Sequence, residues 1–330
     1  MHRFLFSTLL LLLAAGPLNA IDVRISVKFI RDSNGNNPTP AAMGTTDISN
    51  PTTFAAEVTT ANAILDATQR GYRIVAVEYL YIQPPVPALP PGLPGDFWYN
   101  LDARSNRTAI ENAATSDTAT WQFRNNAINI YVNNTTSGQC SFTGTGNSIS
   151  LGRQISRGTV LHELGHFFDL LHTHPGDYDG VPDDWGDGDG LAETLNDDAD
   201  ASIAQVNAFH AAQPMQLRND LINNVMSYHN EAALLPVQMD IFATTANGPR
   251  LVFVTGKTFF VSTGGVDTFF HGESFTVPLR TLGVAATRVS PARPDDTILL
   301  RPGTYNESVT INTACTLRAS NGTVTIVGQP

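Results

Sequence analysis

The run His162-Glu163-Leu164-Gly165-His166-Phe167-Phe168-Asp169-Leu170-Leu171-His172 holds the residue types of metal chemistry at a spacing a helix can use. Side chains four apart on a helix share a face, so His162 and His166 can present two imidazole nitrogens to one cation. Glu163 stands one position round, close enough to take a proton from a water at the ion without being a ligand. His172 adds a third imidazole. Three histidines leave a fourth coordination position open, as catalytic zinc sites do and closed structural sites do not. The competing reading is an amphipathic helix with aligned histidines. With eight His in 330 residues, a chance H-E-x-x-H is expected in about one such chain in a hundred.

Elements on either side must position that helix. Asp22 to Ile30 alternates at period two and predicts a strand, followed by the turn-rich Asp32-Ser33-Asn34-Gly35-Asn36. Residues 53–70 have helical spacing, with Phe54, Val58, Ile64 and Leu65 as core contacts; Gly71 ends the helix, and Tyr72 to Ile82 resumes as a strand. The proline-rich Pro84 to Pro94 predicts an extended, exposed connection. Ala127 to Val132 predicts another strand. Ser148 to Gly152 is expected as an edge strand just before the histidine helix, where an extended peptide could add as a further strand.

Composition narrows the function classes. Hydrophobic residues at 42% and charged residues at 15% describe a globular protein. A formal charge of −11, from 30 acidic and 19 basic residues, excludes the basic stripe of a nucleic-acid binder. At the N-terminus, His2 and Arg3 precede the apolar run Leu9 to Ala15 and a cleavage-like Leu18-Asn19-Ala20, which predicts a signal peptide over 1–20 and a secreted protein. No span is expected in the mature chain. Cys140 and Cys315 fall in different expected domains, so pairing is not anticipated.

The long motif resembles that of the metzincin metalloproteases, H-E-x-x-H-x-x-G-x-x-H with a methionine turn downstream. Asn224-Val225-Met226-Ser227-Tyr228 is similar to that turn. Thr159-Val160-Leu161, Thr173 and Leu235-Pro236-Val237-Gln238-Met239 look most like the pappalysin branch. The resemblance spans roughly residues 20–245 and implies an α+β fold, a twisted mixed sheet with an active-site helix, over a 21–245 protease domain. It implies His162, His166 and His172 as zinc ligands, Glu163 as general base, Met226 as the floor under the metal, and Tyr228 as a stabiliser of the oxyanion. The substrate it implies is a protein or peptide. Asp169 stands where the family pattern has Gly at a sharp turn; Asp is among the few residues that tolerate positive φ there. The departure makes His174 a poorly spaced rival to His172.

Two stretches lie outside that motif. Asp177, Asp179, Asp183, Asp187 and Asp189, interleaved with glycines, offer the oxygen ligands of a Ca2+ loop. They are weakly similar to thrombospondin type 3 loops, and pappalysin-like enzymes carry calcium nearby; a solvated acidic loop is the competing reading. Residues 246–330 form a β-rich segment in which Ile298-Leu299-Leu300, Val309-Thr310-Ile311, Thr316 to Ala319 and Val324-Thr325-Ile326 resemble the first coils of a right-handed parallel β-helix, with Leu279 to Val289 as a preceding helix. The reading is therefore a secreted zinc endopeptidase. Its alternatives are a non-catalytic surface- or matrix-binding protein on a protease-derived scaffold, and a zinc hydrolase of non-peptide bonds.

Overall fold

The computed structural model describes residues 21–328 except 43–44, 69, 85–95, 104–105, 137, 141, 176–180, 294 and 321. The expected signal peptide, most of the proline-rich run, and Asp177 and Asp179 lie outside the described residues. The chain divides into two compact units, one of residues 23–68 and 74–242, the other of the described residues within 1–22, 69–73 and 243–330. The 242/243 division falls inside a helix.

The larger unit is built on a mixed sheet. Its strand β1 (Ile21–Ile30) alternates, and Val23, Ile25, Val27 and Phe29 are wholly buried on one face. Both faces are covered, however, so Ser26 and Lys28 are buried too. Lys28 Nζ donates to Asn129 Oδ1 at 2.6 Å, and burial pulls its pKa down to about 7. After the short β2 (Thr46–Asp47), Asn50 caps helix α1 (Pro51–Thr68) by accepting from the Thr52 and Thr53 N–H groups, with Pro51 at the first helical position where a missing donor costs nothing. Phe54, Val58, Ala61, Ile64 and Leu65 form its buried stripe, and Phe54 meets Phe29 edge-on. Glu57 interrupts that stripe.

Strand β3 (Tyr72–Ile82) follows, then α2 (Phe97–Asn100) and α3 (Arg107–Ser116), whose Trp98, Ile110 and Ala114 cluster with Trp121 and Tyr131. Next come β4 (Ile128–Thr136), β5 (Gly138–Cys140) and β6 (Ser148–Ile155). The sheet order is β2-β6-β4-β1-β3, with β4 parallel to β1 and to β6. The expected free edge at Ser148 to Gly152 is not found. Strand β5 pairs antiparallel with Ile149 to Leu151, and β2 with Gln154 and Ile155. The reason is local: the β4–β6 register shifts between Asn133 and Thr136, and the chain doubles back at once to cover β6. Gly152 permits this, since a Cβ there would lie 2.4 Å from the Thr135 carbonyl. The exposed position beside the site belongs to β5.

Helix α4 (Thr159–Phe167) leads out of the sheet, and α5 (Ile203–Phe209), α6 (Met215–Ile222) and α7 (Pro236–Asn247) complete the helices of this part of the chain. In the smaller unit, β7 (Thr258–Val261), helix α8 (Leu282–Arg288), β8 (Thr297–Leu300), β9 (Gly303–Asn306), β10 (Thr316–Ala319) and β11 (Val324–Val327) follow in order. Strands β7, β8 and β10 stack parallel in register, Thr258 and Thr316 both against Thr297, while β9 and β11 stack in a second parallel pair. Phe259, Val261, Leu282, Ile298, Leu300, Tyr305 and Val324 fill the space behind them. Cys140 and Cys315 are free thiols in different units; Cys315 is half-buried, one residue before β10.

Candidate metal centre

Helix α4 starts at Gly158, whose φ of +89° turns the chain off β6. Its second turn carries His162, Glu163 and His166, all buried. His162 Nδ1 bonds to the Val225 carbonyl at 2.7 Å and His166 Nδ1 to the Leu170 carbonyl at 2.7 Å. A carbonyl can only accept, so each Nδ1 carries the proton and each Nε2 presents a lone pair. Those Nε2 atoms lie 3.1 and 2.8 Å from Nε2 of His172. Burial and the adjacent His166 push His162 down to about 3, and burial holds His166 near 4, so both rings are neutral at physiological pH and able to act as ligands.

That arrangement fits a cation. Two lone pairs aimed at a third ring nitrogen in a buried setting are the donor arrangement that could hold a positive ion. His162, His166 and His172 are the one group of side chains among the described residues that could hold a metal ion. His174 is not in it. Its ring stacks behind His172 at 14° and 4.6 Å between centroids, and so acts as a wall.

The chain reaches His172 through a sharp turn. Asp169 has φ +66°, the left-handed conformation that glycine would adopt freely. Its carboxylate accepts from the Thr143 N–H at 2.9 Å and from Thr143 Oγ1 at 2.6 Å, which ties the turn to the segment after β5. The aspartate thus offsets its backbone cost with two bonds glycine cannot make. Asp169→Val is expected to lower stability by roughly 2–4 kcal/mol, from a β-branched residue at positive φ plus the lost bonds. Asp169→Gly should lose less, and thermal melts of the two variants check the order.

Met226 is wholly buried under α4, and a Cβ on Gly165 would come 2.7 Å from its sulfur, so this glycine lets the methionine approach between the two helix ligands. Asn224 Oδ1 braces the turn by accepting from the Met226 N–H, and Gln238 donates to the same oxygen. Tyr228 places its hydroxyl 3.3 Å from His172 Nε2.

Glu163 faces a cavity of about 470 Å3 lined also by Thr136, Gly138, Thr159, Tyr228 and Glu231. Gly138 of β5 packs directly on it: a Cβ there would sit 3.1 Å from Glu163 Oε1 and 2.6 Å from Leu151 Cδ2. Two further carboxylates gather nearby. Glu57 of α1 accepts from the Gly158 N–H at 2.7 Å and is raised by burial. Glu231 is raised to about 8 by burial, then by repulsion from Glu57 and Glu163. Sequence reasoning passed over both, although Glu57 was detectable as a carboxylate inside an apolar helical stripe; Glu231 had no such signal.

A proton held by native Glu231 up to about pH 8 is already lost from the unfolded chain above the ordinary carboxylate range. The stability it contributes is therefore full at acid pH and declines as pH rises towards 8, by about 1.4 kcal/mol per pH unit at most. Glu231→Gln has no such term. In chelator-treated protein, its Tm is expected to exceed wild type by a margin that opens above pH 5 and levels off beyond pH 8; a margin independent of pH is the contrary result.

The acidic stretch serves the centre through its backbone. Asp183 and Asp187 are exposed, while Asp187 and Asp189 accept from nearby turn donors, Gly190 N–H and Leu191 N–H with Thr194 Oγ1 respectively. Gly188 donates to the Thr173 carbonyl at 3.0 Å, and any side chain there would collide with the carbonyls of His172 and His174. Comparison with known families and with curated proteins finds no match to this chain.

Proposed function

We propose that the protein is a zinc-dependent hydrolase whose ion is held by His162, His166 and His172. More narrowly, it is a secreted endopeptidase of metzincin type, pappalysin-like in its motif, acting on protein or peptide. The observation that carries the reading is the convergence of three imidazole nitrogens, those of His162 and His166 on neutral rings, at the wall of a cavity that Glu163 and Tyr228 share. Neutral nitrogen ligands in a three-residue set suit zinc. When bound, the ion supplies the Lewis acidity that brings a water's pKa towards neutrality.

The chain's own groups do the rest. Glu163 takes the proton of the attacking water and returns it to the leaving amine. The Tyr228 hydroxyl donates a hydrogen bond to the oxygen that gains charge at the scissile carbonyl. An extended substrate lies along β5, since β6 is already paired on that side. Gly138 keeps the strand close to Glu163, so Gly138→Ala is expected to reduce kcat at least about tenfold with zinc retained, because Glu163 or Leu151 must move. Steady-state kinetics alongside metal analysis check this.

The test of the function is a digest of proteome-derived peptides with wild type, with and without chelator, and with Glu163→Gln. Cleavage that chelator and the variant both abolish supports an endopeptidase. Zinc-loaded wild type that cuts no peptide leaves the binding-protein or non-peptide hydrolase reading in its place. Calcium calorimetry tests whether the acidic stretch also takes a cation, and export rests on the leader at 1–20.

A further inference from the structure

We propose that Asp197 is a positioning residue for His172, setting the approach of the third imidazole to the metal; the inference rests on the zinc reading above. Carbonyl groups aim the two helix ligands. His172 lies beyond the helix, half-buried, in a segment with no repeating hydrogen bonds, so its placement depends on how the backbone at 172–174 is held.

That backbone is gripped at Thr173, which is wholly buried. Its N–H donates to the Met226 carbonyl at 3.2 Å, and its carbonyl accepts from the Gly188 N–H at 3.0 Å. Its hydroxyl donates to Asp197 Oδ2 at 2.6 Å. The other oxygen of Asp197 accepts from His229 Nε2 at 2.9 Å and from the Asp198 N–H at 2.9 Å. The Asp197 backbone pairs in both directions with Gly186, at 3.0 and 2.7 Å. One carboxylate, 0% exposed, thus joins the ligand segment, the acidic stretch and the turn that ends in Tyr228 and His229.

Burying a carboxylate is costly, and an apolar residue would pack the same volume without that cost. What the carboxylate adds is direction: two oxygens, each committed to a donor on a different segment. Partners one shell behind a metal ligand fix its orientation in this way, and their loss weakens metal binding by 10- to 100-fold. Nothing in the spacing of the sequence points to Asp197, which is one of several aspartates in the acidic run.

The test titrates metal-free wild type, Asp197→Asn, Thr173→Val, His172→Ala and the double variant Asp197→Asn/His172→Ala. Zn2+ affinity is read by competition with a chromophoric chelator and ligand geometry by the visible spectrum of Co2+. Asp197→Asn and Thr173→Val are each expected to weaken Zn2+ about 10- to 100-fold and to change the Co2+ spectrum. In the His172→Ala background, Asp197→Asn should cost nothing further, because the ring it positions is gone. Thr173→Val removes one hydroxyl at constant shape and carries the test where Asp197→Asn fails to fold. Unchanged affinity in the folded variants, or a full additional loss in the double variant, overturns the inference while the zinc reading stands. Wild type that binds neither ion overturns both.

Discussion

Glu163→Gln is expected to lower kcat for peptide hydrolysis by at least about 10³-fold while zinc remains bound at full stoichiometry. Glutamine has the shape of glutamate and can accept a hydrogen bond, but it cannot take a proton from water at neutral pH. Glu163 lies one residue from His162 on α4, and its side chain lines the cavity that His162 and Tyr228 also line. Metal retention separates loss of the base from loss of the site. The measurements are kcat with a peptide substrate and zinc content after gel filtration. A variant with substantial activity sinks the assignment of Glu163, and a variant that sheds its zinc makes Glu163 part of the metal-holding set.

The second large effect concerns which histidine completes the set. His172→Ala is expected to weaken Zn2+ by at least about 10³-fold, since it removes one of three inner ligands, which costs more than the loss of an outer partner. His174→Ala is expected to change Zn2+ affinity less than about tenfold while lowering stability by roughly 1–3 kcal/mol, because its ring is buried and braces His172 and Tyr228. Chelator competition and thermal melts of the two variants separate ligand from wall. The reverse pattern would make His174 the ligand and the Asp169 turn a misreading.

These expectations draw on both levels of description. The helix that carries His162 and His166, the stripe of α1 and the strands β1 and β3 follow from local period, while the Asn50 and Pro51 start of α1, two residues earlier than the period suggests, is seen only in the structure. The left-handed turn at Asp169 is expected from the metzincin resemblance, whose pattern has Gly there, and Asp is among the residue types that tolerate it. The edge beside the site was not. A three-residue strand has too little pattern to announce itself, and its pairing with β6 is a register choice made across the chain. For the same reason the β-rich end showed the strands at Ile298–Leu300, Thr316–Ala319 and Val324–Ile326 in sequence, but not that β7 joins β8 and β10 in one parallel stack. The expected strand at Val309–Ile311 is not formed.

The amino-acid sequence by itself determined that two imidazoles and a carboxylate share one helix, because a helix converts spacing directly into facing. It also determined that a third imidazole, a methionine and a tyrosine were available at workable distances along the chain. Only the tertiary structure decided that His172 and not His174 completes the trio, that Glu231 lines the cavity with Glu163 and feels the charge of Glu57, and that Asp197 holds Thr173. Those relations join segments remote in sequence, and they exist only where burial makes an unpaired polar group costly enough to select its partner.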